Sequence, residues 1–137
     1  MRFLLLSFLI LFCSEAKAQQ SDNLEEFESF IINFKKDSTF QKSRLINPVT
    51  IIYSTGELVE VEDGLYEFAL DTVEVPSEDW KYESLSHREN VKSSIISKSS
   101  EQIQYRIQGL DNGILFIYTF VSKNGKWFLK QYKNDST

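Results

Sequence analysis

The sequence predicts an α+β domain in which N-terminal helices pack on a curved antiparallel sheet, a cone-like arrangement closing in a three-strand meander. Three observations predict it. The stretch Glu101 to Lys133 holds three apolar-rich segments separated by Asp111-Asn112-Gly113 and Asn124-Gly125. Residues 22–37 carry apolar side chains at three-and-four spacing, the period of one helical face. The span between them is rich in short β-branched and aromatic runs broken by glycine and proline, which suits strands and turns.

The chain opens with Met1-Arg2, an apolar run from Phe3 to Phe12, and Ala16-Lys17-Ala18. A basic start, a short apolar run and an Ala-x-Ala ending fit a secretory signal peptide cleaved after Ala18. The run is half the length a membrane span requires. Residues 1–18 are therefore read as a signal peptide and 19–137 as a single α+β domain. Cys13 raises the rival reading of a lipid anchor, but Phe12 is large where lipoprotein signals want a small residue. Cys13 is the single cysteine, so cleavage after Ala18 removes disulfides, thiolate metal sites and a cysteine nucleophile together. The expected location is exported, periplasmic or secreted.

Without Arg2, Glu15 and Lys17, 13 basic and 19 acidic residues remain, a net charge of −6. Nucleic acid and anionic membrane both call for clustered basic charge, so neither is an expected partner. Eleven phenylalanines in the chain supply material for a sizeable core.

In DNLEEFESFIINFKKD, Leu24, Phe27, Phe30, Ile31 and Phe34 share one helical face. Asp22 with Glu25 three residues on reads as an N-cap with its capping-box partner. Glu25, Glu26 and Glu28 at the start and Lys35 and Lys36 at the end suit the helix dipole. Asp37-Ser38-Thr39 offers a second cap for a short helix, Phe40 to Leu45, that Asn47-Pro48 stops. Val49 to Tyr53 reads as a strand and Ser54-Thr55-Gly56 as a turn. Between Glu57 and Val75 one or two edge-like strands are expected, interrupted by Glu62-Asp63-Gly64. Pro76 to Trp80 reads as the start of a short helix capped by Ser77, and Leu85 to Asn90 as a polar loop. Val91 to Ser97 can pair with Glu101 onward through Lys98-Ser99-Ser100.

In the meander, Ile103, Tyr105 and Ile107 alternate with Gln102, Gln104, Arg106 and Gln108, so one face is buried. Asn124-Gly125 is a two-residue hairpin signal that sets Lys123 opposite Lys126, Phe120 opposite Leu129 and Val121 opposite Phe128. If Asn112-Gly113 alone is the preceding loop, Ile107 faces Tyr118 and Tyr105 faces Phe120. The core face then holds Ile103, Tyr105, Ile107, Ile114, Phe116, Tyr118, Phe120, Trp127 and Leu129. A three-residue loop would instead join the alternating strand to Leu115, Ile117, Val121, Phe128 and Tyr132, since a one-residue slip flips the set. The first face is preferred, being more continuously apolar. The other still carries several apolar side chains, so a second cover is expected: the sheet curling on itself, or a homodimer through a sheet face.

This order of elements resembles the cone-shaped, cystatin-like α+β fold of the nuclear-transport-factor-two-like superfamily, and within it an exported bacterial family of unknown function. The matching residues are Phe27-x-x-Phe30, Phe40-Gln41-x-x-Arg44 leading to Pro48, Asp79-Trp80, and Asn124-Gly125-Lys126-Trp127-x-Leu129. The resemblance implies export and a concave pocket between sheet and helices; it supplies no catalytic residues.

Chemistry is sparse. His87, the single histidine, stands in a polar stretch beside Arg88 and Glu89, where a solvated side chain is a better account than a general base. Glu60, Glu62 and Asp63 lack the glycine and paired acids of a calcium loop, so no metal and no cofactor is expected. No nucleophile elbow, phosphate loop or dinucleotide fingerprint is present. Enzymes on the resembled fold recruit an acid with a hydrogen-bond donor, for which Tyr105, Tyr118 and Asp71 or Asp79 are available. Trp80 and Tyr82 either line a pocket mouth or cap the core. The acids Glu57, Glu60, Glu62, Asp63 and Glu67 either face a basic partner or guard a strand edge. The expected function is a non-enzymatic exported module binding a small ligand or an envelope protein, with Trp80, Tyr105, Tyr118 and Trp127 as candidate ligand-binding residues. A small isomerase- or dehydratase-type pocket enzyme and a purely structural envelope protein are the alternatives.

Overall fold

A computed structural model describes residues 23–83, 85 and 89–136. The signal-peptide reading, Cys13 and His87 lie outside the described residues. Two helices, α1 (Phe27–Lys36) and α2 (Ser38–Ser43), are followed by six strands: β1 (Leu45–Glu62), β2 (Leu65–Val75), β3 (Val91–Lys98), β4 (Gln102–Gly109), β5 (Leu115–Lys123) and β6 (Lys126–Asn134). A 3-10 turn, Ser77–Asp79, follows β2. The strands form one sheet in the order β2-β1-β6-β5-β4-β3. Every neighbouring pair is antiparallel except β1 with β6, which run parallel. The expected antiparallel sheet is thus a mixed one, because the return from β2 through the 77–85 segment and the meander brings β6 beside β1.

The first helix starts later than its apolar spacing suggested. Glu26, with no side-chain cap bond, occupies the N-cap position, Asp22 is outside the described residues, and Leu24 is exposed ahead of the helix. Glu25 is diverted from capping by a stronger partner: its carboxylate takes both guanidinium nitrogens of Arg44, at 2.7 and 2.9 Å. The second helix is capped as expected, Phe40 N donating to Asp37 Oδ1 at 2.8 Å.

Asn47-Pro48 does not end that helix; it lies inside β1, joined by a cis peptide bond. Proline lacks an amide donor, and Pro48 falls where both ladders skip. Pairing with β2 begins at Val49, and pairing with β6 jumps from Leu45 to Thr50. Nor is Ser54-Thr55-Gly56 a turn. It is a bulge in β1, with Gly56 at φ +80°, and the chain reverses instead at Asp63-Gly64. Gly64 has φ +79° and its amide donates to Glu60 Oε1 at 2.8 Å. In the 77–85 segment Ser77 lies within the 3-10 turn, with Pro76 before it. Leu85 is not part of a polar loop: it is buried and its amide donates to Lys35 O at 3.3 Å.

In the meander, Asn124-Gly125 forms the expected hairpin with both residues at positive φ and the expected pairs. The loop before β5 runs from Leu110 to Gly113, since Gly109 N donates to Ile114 O at 2.8 Å. Tyr105 therefore faces Tyr118 and Ile103 faces Phe120, two residues from the expected register. A four-residue loop has the same parity as a two-residue loop, so the core face keeps its membership. Ile103, Tyr105, Ile107, Phe116, Tyr118, Phe120, Trp127 and Leu129 are all buried. Tyr132 joins them, against expectation. β6 holds one extra residue, Lys130, between the Phe120–Leu129 and Thr119–Gln131 pairs, and the bulge turns the following side chains over.

The helices cover this face through their phenylalanines. Phe27, Phe30 and Phe34 each stand edge-on to Phe120, at 5.5, 5.2 and 5.1 Å between centroids, the arrangement aromatic quadrupoles favour. On the opposite face Leu115, Ile117, Val121 and Phe128 remain half-buried.

Candidate functional site

Phe40, Gln41 and Arg44 sit at the junction of helices, sheet and the 77–83 segment. Arg44 joins Glu25, donates to Trp127 O at 3.2 Å, and lies over the Phe40 ring at 4.7 Å. Glu25 also accepts the Trp127 amide, and its own carbonyl accepts Trp127 Nε1 at 2.8 Å. Burial disfavours the Glu25 carboxylate. The hydrogen bonds from Arg44 and Trp127 and the charges of Arg44 and Lys126 outweigh that cost and hold its pKa below the ordinary value.

Gln41 is buried and uses every polar atom of its side chain. Its Nε2 donates to Phe34 O and Glu83 O, at 2.9 and 3.1 Å. Its Oε1 accepts from Trp80 Nε1 at 2.9 Å and from the Glu83 amide at 3.2 Å. One amide thereby fixes the end of α1, the Trp80 indole and the backbone at Glu83.

The clamped indole borders two depressions. One is a cleft of about 310 Å³ between the 79–83 segment and the sheet, walled by Ile51, Val75, Trp80 and Tyr132 with Asp79, Lys81 and Glu83 as its charged lining. The other is a groove of about 590 Å³ lined by Ser38, Thr39, Lys42, Ser77, Trp80 and Tyr82. The Tyr132 ring is 4.9 Å from Tyr118 and 5.6 Å from Phe116, so the floor of the cleft is aromatic. Tyr118 Oη donates to Glu83 Oε2 at 3.4 Å.

Of the four residues that sequence reasoning selected, Trp80 borders both depressions. Tyr105, Tyr118 and Trp127 are buried among the core rings, Tyr118 reaching Glu83 with its hydroxyl. Asp71 and Asp79 are exposed, Asp71 accepting from Tyr53 Oη at 3.4 Å. Sequence reasoning missed Gln41, Glu83 and Tyr132. Gln41 and Glu83 are 42 residues apart along the chain, and no local pattern marks that meeting. Gln41 did stand inside a quoted motif, on the side of α2 that carries Phe40 and Arg44. Among the described residues no three His, Cys, Asp or Glu side chains are grouped to hold a metal ion, and no helix is long and apolar enough to cross a membrane.

A crystal structure of an NTF2-like protein from Bacteroides fragilis superposes on this chain with a TM-score of 0.59 at 18% sequence identity. The fold is NTF2-like. The match covers 82% of this chain and 48% of that one, so the chain spans about half the length of the protein it matches. No family model and no curated protein matches the sequence. The helices cover the sheet face that carries Phe120, and Trp80 and Tyr132 both line the cleft.

Proposed function

We propose that this chain is an exported, non-enzymatic binding module that takes a small, largely apolar ligand in the cleft between Trp80 and Tyr132. The observation carrying this reading is the Trp80 indole, held by Gln41 beside a cleft with an aromatic floor. A ring fixed before binding loses little freedom when a ligand stacks on it. Asp79, Lys81 and Glu83 in the cleft lining suit a ligand with a hydroxyl at one end. Export rests on residues 1–18, read as a leader removed after Ala18, and on the resemblance of the sequence to an exported bacterial family of unknown function within the NTF2-like superfamily. Native mass spectrometry of the protein recovered from the cell envelope tests both parts. The expected result is a chain beginning at Gln19 with a retained small-molecule adduct that Trp80→Ala abolishes. A full-length cytoplasmic chain overturns the export reading, and a bare chain overturns the binding reading.

The Tyr118–Glu83 hydrogen bond beside the cleft favours a second reading, an isomerase- or dehydratase-type enzyme with Glu83 as base and Tyr118 as donor. If so, Glu83→Gln keeps the adduct but abolishes its turnover. Turnover unchanged in that variant removes Glu83 as the base, and a wild type that leaves its adduct unchanged removes the enzyme reading.

A further inference from the structure

The groove that borders Trp80 differs from the cleft in chemistry. The cleft includes the aliphatic Ile51 and Val75, whereas the groove has no valine, leucine, isoleucine or acid in its lining. Its volume of about 590 Å³ is that of an ordinary small-molecule site. Its walls are hydroxyls, one ammonium group and two aromatic rings.

One wall is α2. Ser38 with Lys42, and Thr39 with Ser43, stand four residues apart on one side of the helix, and all four are exposed. The other wall is the 77–82 segment, with Ser77, Trp80 and Tyr82. Lys42 Nζ donates to Glu78 O at 3.3 Å and so joins the two walls.

Both rings are tied to the helices through their polar atoms. Trp80 Nε1 donates to Gln41 Oε1, and Tyr82 Oη donates to Lys35 O at 3.2 Å. What they offer a ligand is therefore chiefly ring carbon, already fixed before binding. Tyr82 is 40% exposed, so part of that surface stands open to solvent.

Few ligands use both kinds of wall. An apolar ligand would strip water from the serine and threonine hydroxyls and give them no partner. An inorganic anion would meet a single cation and make no use of the rings. A peptide anchor wants an apolar pocket, which this lining does not form. A sugar ring carries C–H groups on its faces and hydroxyls around its edge. The C–H groups suit the negative faces of aromatic rings, and serine and threonine hydroxyls can both donate to the edge and accept from it.

We propose that this groove binds a saccharide, packed on Trp80 and Tyr82 with its hydroxyls on Ser38, Thr39 and Ser77. The site stands apart from any ligand in the cleft, since Tyr82 and α2 line the groove alone.

Amide NMR titration of the exported chain tests this with cellobiose, maltose, diacetylchitobiose and digalacturonate, each taken to about 10 mM. At least one is expected to shift the amides of residues 38–43 and 77–82 while those of Ile51 and Val75 stay in place. Tyr82→Ala should weaken that binding about fivefold or more, whereas Tyr82→Phe, which keeps the ring, should bind as the wild type does. Ser38→Ala with Thr39→Ala, which keeps both rings, should weaken it about threefold or more. Wild-type shifts at Phe120 and Trp127 in each variant exclude misfolding as the cause. The proposal is overturned by the absence of shifts with all four sugars, or by shifts confined to the cleft residues. It is equally overturned if Tyr82→Ala or the double alanine variant binds as tightly as the wild type, or if Tyr82→Phe binds as poorly as Tyr82→Ala.

Discussion

Gln41 Oε1 accepts the Trp80 indole N–H at 2.9 Å and the Glu83 amide at 3.2 Å. The two donors come from one short segment, so this oxygen sets both the wall of the cleft and the path of the chain past it. Replacing Gln41 by leucine keeps the volume but removes the acceptor that Trp80 Nε1 and the Glu83 amide share. The expected loss of stability is about 2 kcal/mol or more, read from urea denaturation. The Trp80 indole proton should also exchange with solvent faster than the Trp127 one, which Glu25 holds. Unchanged exchange at Trp80 would show that the clamp is not what fixes the indole.

The Glu25–Arg44 pair makes stability depend on acid. Glu25 has its folded pKa below the ordinary value of 4.5, so the unfolded chain binds the proton more readily. Its contribution is complete above that ordinary value and disappears as pH falls through the folded one. Glu25→Gln should cost about 2 kcal/mol at pH 7, with the gap to wild type closing below about pH 4.5. Urea midpoints of both proteins between neutral pH and pH 3 measure this; a gap as wide at pH 3 as at pH 7 contradicts it.

Phe120 is the side chain on which three helical phenylalanines converge, and it is fully buried. Phe120→Ala should destabilise by about 3–5 kcal/mol, a large share of what a domain of this size has. Thermal melting measures it, and Phe120→Leu should recover more than half the loss.

Glycine at the hairpin tip offers a finer comparison. Gly125 has φ +73° and a methyl there would come 3.4 Å from Asn23 O, whereas Gly64 has φ +79° with open space around it. Gly125→Ala should cost about 1 kcal/mol and also loosen the 23–26 segment, whose Glu25 amide donates to Gly125 O. Gly64→Ala strains only the tip of the β1–β2 ribbon and should leave the melting temperature nearly unchanged. Equal effects of the two would mean that the tip of the β1–β2 ribbon unfolds together with the domain.

Much of this was legible in local pattern. The phenylalanines of α1, the Asp37 cap and the Asn124-Gly125 hairpin depend on residues a few positions apart, and their spacing carries the geometry. The loop before β5 shows the limit of such reading. Its length was misread by two residues, yet the core face survived because side chains alternate with period two. Tyr132 did not survive, because nothing local announces that Lys130 will be left out of the ladder. The long β1 was misread for a related reason: Pro48 and Gly56 normally break strands, and here each falls in a gap of the pairing that only the neighbouring strands define.

By itself, then, the sequence determined the fold class, the aromatic face of the sheet and the identity of the helix that covers it. Periodicity and turn chemistry act within a few residues of one another, so they can be read without the rest of the chain. Only the tertiary structure decided the parallel pairing of β1 with β6, the Gln41–Trp80 clamp, and the extension of the β1–β2 pairing beyond the end of β6. Each of these joins residues far apart in the chain, and its energy exists only after the sheet has closed around them.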